Sequence, residues 1–414
     1  MSGVGGRRRS GLLAALGLAA AFVVAATAAG VLWRVVLAGP AANRAAHEAA
    51  VRAVPGNVAD RQALAHLDVA AGRPHAARAR LTAALHHAPF AAPLWLDRAD
   101  VALALGDPPA ARHDALHAVA LAPADAAGCE RAALVLLQAD GAADAAPLLR
   151  CVATLRPERA PQVLDLATSV YGDAGTVLRA VVPPDANGVA RFLRWAHERD
   201  RVDAAALGWS ALTTLGASRG DRLRHVDFLL DHGEVADAGA IWASAYGAPA
   251  PERVFDGDFE ADPVGAGFGW LLRERDGVRV AITRDAAARG RSGLSVEFRG
   301  GNVAFFGVQQ VVPVEGGRRY RLSALARADG VTSLSGPRLR VEAHPACRGL
   351  STVESVELRG TRPWGPVGVE FTTPPDCRAV RILLCRPSTD RLDQDLSGRV
   401  QLDDVALRDL GAPS

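Results

Sequence analysis

The sequence predicts a multidomain chain with an N-terminal transmembrane helix, an all-α solenoid of helical hairpins and an all-β sandwich. Three observations predict it. An apolar run without charge spans residues 11–33, prolines recur every 34 residues from Pro55 to Pro157, and beyond residue 250 short Val, Leu and Arg alternations between glycines replace an Ala- and Leu-rich pattern.

At about 1.5 Å per helical residue, the first run covers the roughly 30 Å of a bilayer core. Arg7, Arg8 and Arg9 precede it, whereas Arg34 and Arg44 are the only basic residues soon after it. The positive-inside bias therefore keeps residues 1–10 cytoplasmic and exports the rest. Three readings of residues 11–37 compete: an uncleaved signal-anchor, a cleaved secretory signal and a merely buried helix. A cleavable signal has a shorter apolar core, although Ala26-Thr27-Ala28 would serve a peptidase, and Arg8-Arg9 resembles a twin-arginine signal. The length favours the anchor. It makes the chain a single-pass protein of a bacterial inner membrane with its later domains in the periplasm.

Composition narrows the chemistry. The formal charge is +2 over 414 residues, with no basic block beyond the N-terminus, which argues against nucleic acid as a partner. All 47 basic residues are Arg. That removes Schiff-base lysines, the P-loop lysine and the kinase lysine together.

The helical part, 43–247, carries an internal repeat. Pro55, Pro89, Pro123 and Pro157 stand 34 residues apart, as do Ala77, Ala111 and Ala145, Gly72 and Gly106, and Ala84 and Ala118. With Trp95 at the first aromatic position and Leu81 and Leu149 at a later one, this pattern resembles the tetratricopeptide repeat. The resemblance implies helical hairpins in which small residues let two helices approach, Gly turns the hairpin and Pro closes the second helix. It departs at Arg61 and Cys129, which stand where Trp95 would repeat, and at Asp140-Gly141, which replaces the hairpin glycine. Such repeats imply a protein partner. Residues 160–171, 188–198, 204–215, 222–232 and 235–246 keep helical spacing without the period, so we expect them to continue the solenoid. Trp195, Trp209 and Trp242 then pack between helices or line a groove. His113 and His117 have the i, i+4 spacing of zinc proteases, but Asp114 replaces the general-base Glu and the register buries Ala115 and Ala118. Exposed histidines are the expected reading, and the scattered carboxylates read as solvated surface.

Residues 245–251 supply linker residues, and the sandwich follows over 252–410. Candidate strands are 278–283, 294–299, 308–314, 319–327, 338–344, 353–358, 367–371, 379–386 and 399–407. The segment contains Asp256-Gly257-Asp258-Phe259-Glu260, Trp270, Ser292-Gly293-Leu294, Gln309-Gln310-Val311, Gly316-Gly317, Tyr320, Trp364, Phe371 and Asp403-Asp404-Val405, in that order. In order and spacing it resembles carbohydrate-binding modules of the family 4 and 9 type. The resemblance implies a galactose-binding-like jelly roll holding a polysaccharide on a concave face or at its loops, with Trp270, Phe305, Phe306, Gln309, Tyr320 and Trp364 as contact residues. Each aromatic has an alternative place in the core. Similar modules carry a structural calcium, for which Asp258, Glu260 and Asp404 offer hard oxygen ligands unless Asp403-Asp404 only caps a turn.

The five cysteines suit an exported protein. Cys129 and Cys151 fall at one end of a helical hairpin, where a disulfide would contribute about 3 kcal/mol. Cys377 and Cys385 share a strand and would be roughly 26 Å apart, too far to bridge. Cys347 follows one strand and Cys377 precedes another, so this pair joins if those strands are neighbours, leaving Cys385 buried and free. No nucleophile elbow or zinc spacing is present, and a catalytic role is not expected. The chain as a whole reads as a membrane-anchored scaffold and glycan-binding protein of envelope polysaccharide assembly or export. The competing readings are a protein scaffold that has lost sugar binding and, more remotely, a glycan-processing enzyme.

Overall fold

The computed structural model describes residues 40–248, 254–390 and 393–412. The expected membrane segment, 11–37, lies outside the described residues, and among those described no helix is long and apolar enough to cross a membrane. Contacts divide the chain into two compact units, the first ending at Gly216 and the second beginning at Ala217.

The first unit is helical. Its elements are α1 (Pro40–Ala53), α2 (Val58–Ala70), α3 (Pro74–His87), α4 (Ala92–Ala104), α5 (Pro108–Leu121), α6 (Ala126–Gln138), α7 (Ala142–Leu155), α8 (Ala160–Tyr171), α9 (Ala174–Ala180), α10 (Ala186–Glu198) and α11 (Val202–Leu215). Helices α2 with α3, α4 with α5 and α6 with α7 pack as hairpins. The starts are written locally: Asp107 accepts the Ala110 N–H at 3.2 Å and Asp125 the Ala127 N–H at 3.0 Å. The turns also repeat. Gly72, Gly106 and Asp140 all take positive φ, at 68°, 70° and 55°, so Asp140 fills the left-handed position that glycine fills elsewhere. Ala77, Ala111 and Ala145 are fully buried, which lets the paired helices approach.

The departures from the repeat have local explanations. Trp95 donates its indole N–H to the Pro89 carbonyl at 2.7 Å, and the Arg61 guanidinium donates to the Pro55 carbonyl at 2.9 and 2.7 Å. Arg61 thus does the polar half of tryptophan's work one repeat earlier. In the third repeat Cys129 instead forms a disulfide with Cys151.

The expectation of solvated carboxylates is corrected at several positions. Asp68, Asp97 and Asp114 are buried because they tie neighbouring helices together through cationic partners. Asp68 meets Arg80 at 2.6 Å, Arg73 at 2.8 Å and Arg44 at 3.0 Å. Burial alone would raise its pKa, but the three guanidiniums hold it below the ordinary carboxylate range. Asp97 accepts from Gln62, His66 and Arg131 at 2.7, 2.8 and 2.7 Å. Burial opposes ionisation there too, yet these partners pull the group down to about 2.

The second unit begins with α12 (Arg219–Asp231) and α13 (Val235–Tyr246), so this hairpin is compact with the strands that follow it. The strands are β1 (Leu271–Leu272), β2 (Val278–Thr283), β3 (Gly293–Arg299), β4 (Phe305–Pro313), β5 (Arg319–Val331), β6 (Arg338–Ala343), β7 (Val353–Glu354), β8 (Gly360–Thr372), β9 (Ala379–Arg386) and β10 (Ser397–Gly411). They form two antiparallel sheets: a front sheet in the order β1-β4-β9-β6-β7 and a back sheet in the order β2-β3-β10-β5-β8. Alternation selects the core. Leu294, Val296 and Phe298 point inward from β3, and Tyr320, Leu322, Ala324 and Ala326 from β5. Because β6 pairs with β9, the segment after one lies beside the segment before the other, and Cys347 is joined to Cys377 there. Cys385 is buried without a disulfide, and burial pushes its thiol up to about 12.

Candidate functional site

The site grows from the way α12 and α13 seat on the sandwich. Val226, Leu230, Ala238 and Trp242 cluster with Phe268, and Phe255, Val264 and Val311 pack against them. Trp242 meets Phe255 and Phe268 edge-on, with ring centroids 5.3 and 5.8 Å apart. Gly267 has φ 61°, and a Cβ there would stand 2.6 Å from the Trp242 ring, so only glycine fits. Its N–H donates to Asp227 Oδ1 at 2.6 Å, fastening the 264–269 loop to α12.

Strand β4 sends Val308 and Val312 into the core, which turns Gln309 and Val311 to the outer face of the front sheet. Gln309 pairs with Leu271 and Leu383, and Val311 with Arg381, which in turn pairs with Glu342. Where this face meets α12 there is a cleft of about 430 Å³, within the range of small-molecule sites. Asp227 and Asp231 line it from α12, Arg273 from the end of β1, Gln309 from β4, Arg381 from β9 and His344 from the end of β6. Burial raises the Asp227 pKa, and Asp231 nearby adds to the effect. His344 accepts the Ala346 N–H at Nδ1, 3.2 Å away, so the neutral ring carries its proton on Nε2. Burial first, and Arg381 second, lower its pKa to about 4. Farther along the same face, ion pairs cover the sheet. Arg338 meets Glu357 at 2.9 Å, and Arg340 meets Glu342 at 2.8 Å while lying 5.2 Å over the Phe306 ring.

The six contact residues expected from sequence do not come together. Trp270 is 5% exposed and donates its indole N–H to the Asp256 carbonyl at 2.9 Å. Phe305 and Tyr320 are fully buried, and the Tyr320 hydroxyl accepts the Glu315 N–H at 2.9 Å. These three rings fill the core and offer no face to a sugar. Phe306 is 40% exposed on the front sheet, beneath Arg340. Trp364 is half-buried on β8, the edge strand of the other sheet. Only Gln309 lines the cleft. Sequence reasoning missed Asp227, Asp231, Arg273, His344 and Arg381 as a group, because they come from four separate segments.

Two of the three carboxylates proposed for calcium are already engaged. Glu260 accepts the Ser292 N–H at 3.1 Å and the Arg291 guanidinium at 3.0 Å, and Asp404 meets Arg289 at 2.7 Å. Asp258 is exposed. With two guanidiniums on these oxygens, the arrangement does not fit a cation, and among the described residues no three Asp, Glu, His or Cys side chains converge as a ligand set. The 256–260 motif has a structural task instead: Asp256 accepts the Glu260 and Ala261 N–H groups, and Gly257 accepts from Val405 on β10.

No family model and no curated protein matches the chain. Among solved structures, it is similar to the MamA protein at 17% identity, over 39% of this chain and 84% of that one, with a TM-score of 0.30. It is also similar to the CBM22-1 xylan-binding domain of Paenibacillus barcinonensis Xyn10C at 17% identity, over 40% and 99% of the two chains, with a TM-score of 0.26. A CBM4 structure aligns at 17% identity over 38% and 99%, with a TM-score of 0.27.

Proposed function

We propose that the chain is a scaffold that binds a glycan through its second unit and a protein partner through its helical repeats, anchored in a membrane by residues 11–37 and facing the periplasm. Assembly or export of an envelope polysaccharide is the setting this pairing of modules suits. The observation that carries the reading is the cleft between α12 and the front sheet, which offers carboxylates, guanidiniums, an amide and an imidazole N–H toward one small volume. Hydroxyl-rich ligands are recognised by such convergent polar groups. Two disulfides within the units agree with an oxidising compartment.

The same cleft supports binding over hydrolysis. Asp227 and Asp231 come from one turn of one helix, whereas a glycosidase needs an acid and a second carboxylate on opposite sides of the scissile bond. The test is a glycan array probed with the full chain, beside Gln309→Ala and Asp231→Ala variants that melt like the parent. Binding that both folded variants weaken is the expected outcome. No binding by the parent would leave a protein scaffold as the function.

A further inference from the structure

Resting on that reading of the cleft, we infer that its ligand is a carboxylate-bearing sugar, a hexuronic acid unit, whose carboxylate is held by Arg381 with His344 and whose hydroxyls face Asp227 and Asp231. The starting observation is how this protein treats its arginines. Arg338 and Arg340, neighbours on the front sheet, are each engaged by two glutamates. Arg381 has a glutamate directly across the strand pair, Glu342, but that carboxylate is drawn to Arg340 instead. Among the described residues no ion pair joins Arg381 or Arg273 to a carboxylate, although Arg273 stands near enough to Asp227 to favour its ionised form.

A half-buried guanidinium without a carboxylate has lost part of its hydration and has a five-donor fork free, which matches a ligand carboxylate in two-pronged geometry. The Nε2–H of His344 is a second donor at the same end of the cleft, and the ring stays neutral because of its burial and the charge of Arg381. Asp227 and Asp231 line the same cleft from α12 and form its acidic side. They would repel a compact dianion such as phosphate, and they accept hydrogen bonds from hydroxyls. A neutral sugar would satisfy the acids and leave Arg381 uncompensated. A uronic acid satisfies both.

The experiment is calorimetric titration of the full chain with oligoglucuronides, oligogalacturonides, oligomannuronides and oligoguluronides. Each is used as the free acid and as its methyl ester, with neutral hexose oligomers alongside. The expected result is binding of at least one free acid that weakens tenfold or more on esterification and weakens with added salt. Arg381→Gln and Arg273→Gln should each reduce affinity for that acid while leaving any residual binding of the ester unchanged. Arg273 is exposed, so its variant keeps the test open if Arg381→Gln fails to fold. Esters or neutral sugars binding as tightly as the acids would overturn the uronic acid inference and leave glycan binding standing. A folded variant that binds the acid like the parent would do the same. Absence of binding across the panel would remove both.

Discussion

The helical unit and the sandwich unit handle buried charge in opposite ways. Between the helices, Asp68 and Asp97 are surrounded by guanidinium, imidazole and amide groups, so charge is neutralised inside a core built largely from alanine. In the sandwich the core is large and apolar. Its one fully buried guanidinium among the described residues, Arg386, donates to neutral oxygens of Ser335, Asn302, Val303 and Gln394, and burial holds its pKa below the ordinary value. At the cleft, acids and guanidiniums stand near one another without pairing. Charge compensated within the protein serves structure, whereas charge left open at a cleft is available to a ligand.

The largest effect should come from the apolar side of this contrast. Trp242→Ala removes the ring on which Phe255, Phe268 and Gly267 pack, and should cost the second unit about 3–5 kcal/mol in denaturant unfolding. A loss below about 1 kcal/mol would mean that α13 is not held by this cluster.

Next comes the polar side. Asp68→Asn leaves three guanidiniums around a neutral amide and should destabilise the helical unit by about 3 kcal/mol. Asp231→Asn, at the open cleft, should change stability by less than about 0.5 kcal/mol. Similar losses for both would erase the distinction between compensated and open charge.

The pH dependences separate the units further. Asp97 titrates at about 2 when folded, against an ordinary 3.8, so its contribution is present above 3.8 and is lost as pH falls through about 2. His344 titrates at about 4, against an ordinary 6.5, because burial and Arg381 disfavour its charge. The unfolded chain therefore binds this proton first. The sandwich unit should weaken between pH 6.5 and 4, by about 3 kcal/mol, while the helical unit holds. Near-ultraviolet dichroism of the two units during acid titration, with His344→Gln flattening the upper window, would check the order.

Much of this was legible in the chain. Prolines, alanines and glycines at a 34-residue spacing specify hairpins because each acts within its own turn, and strand alternation selects Val308 and Val312 for the core without any distant partner. Local signals also marked Asp140-Gly141 as the replacement for a hairpin glycine, the structure giving the left-handed turn to Asp140, and the Cys347 and Cys377 positions follow from strand adjacency. The fate of each aromatic was not legible. Trp270, Phe305 and Tyr320 satisfy the same composition and spacing whether they face sugar or core, and only the closing of two sheets over them assigns them inward. The cleft is the clearest case. Its groups come from α12, β1, β4, β9 and the end of β6, and the charges on Arg381 and Asp231 acquire their shared role only when α12 packs on the front sheet. Sequence determines what acts over one turn or one strand. Tertiary structure decides what depends on which distant surfaces exclude water together.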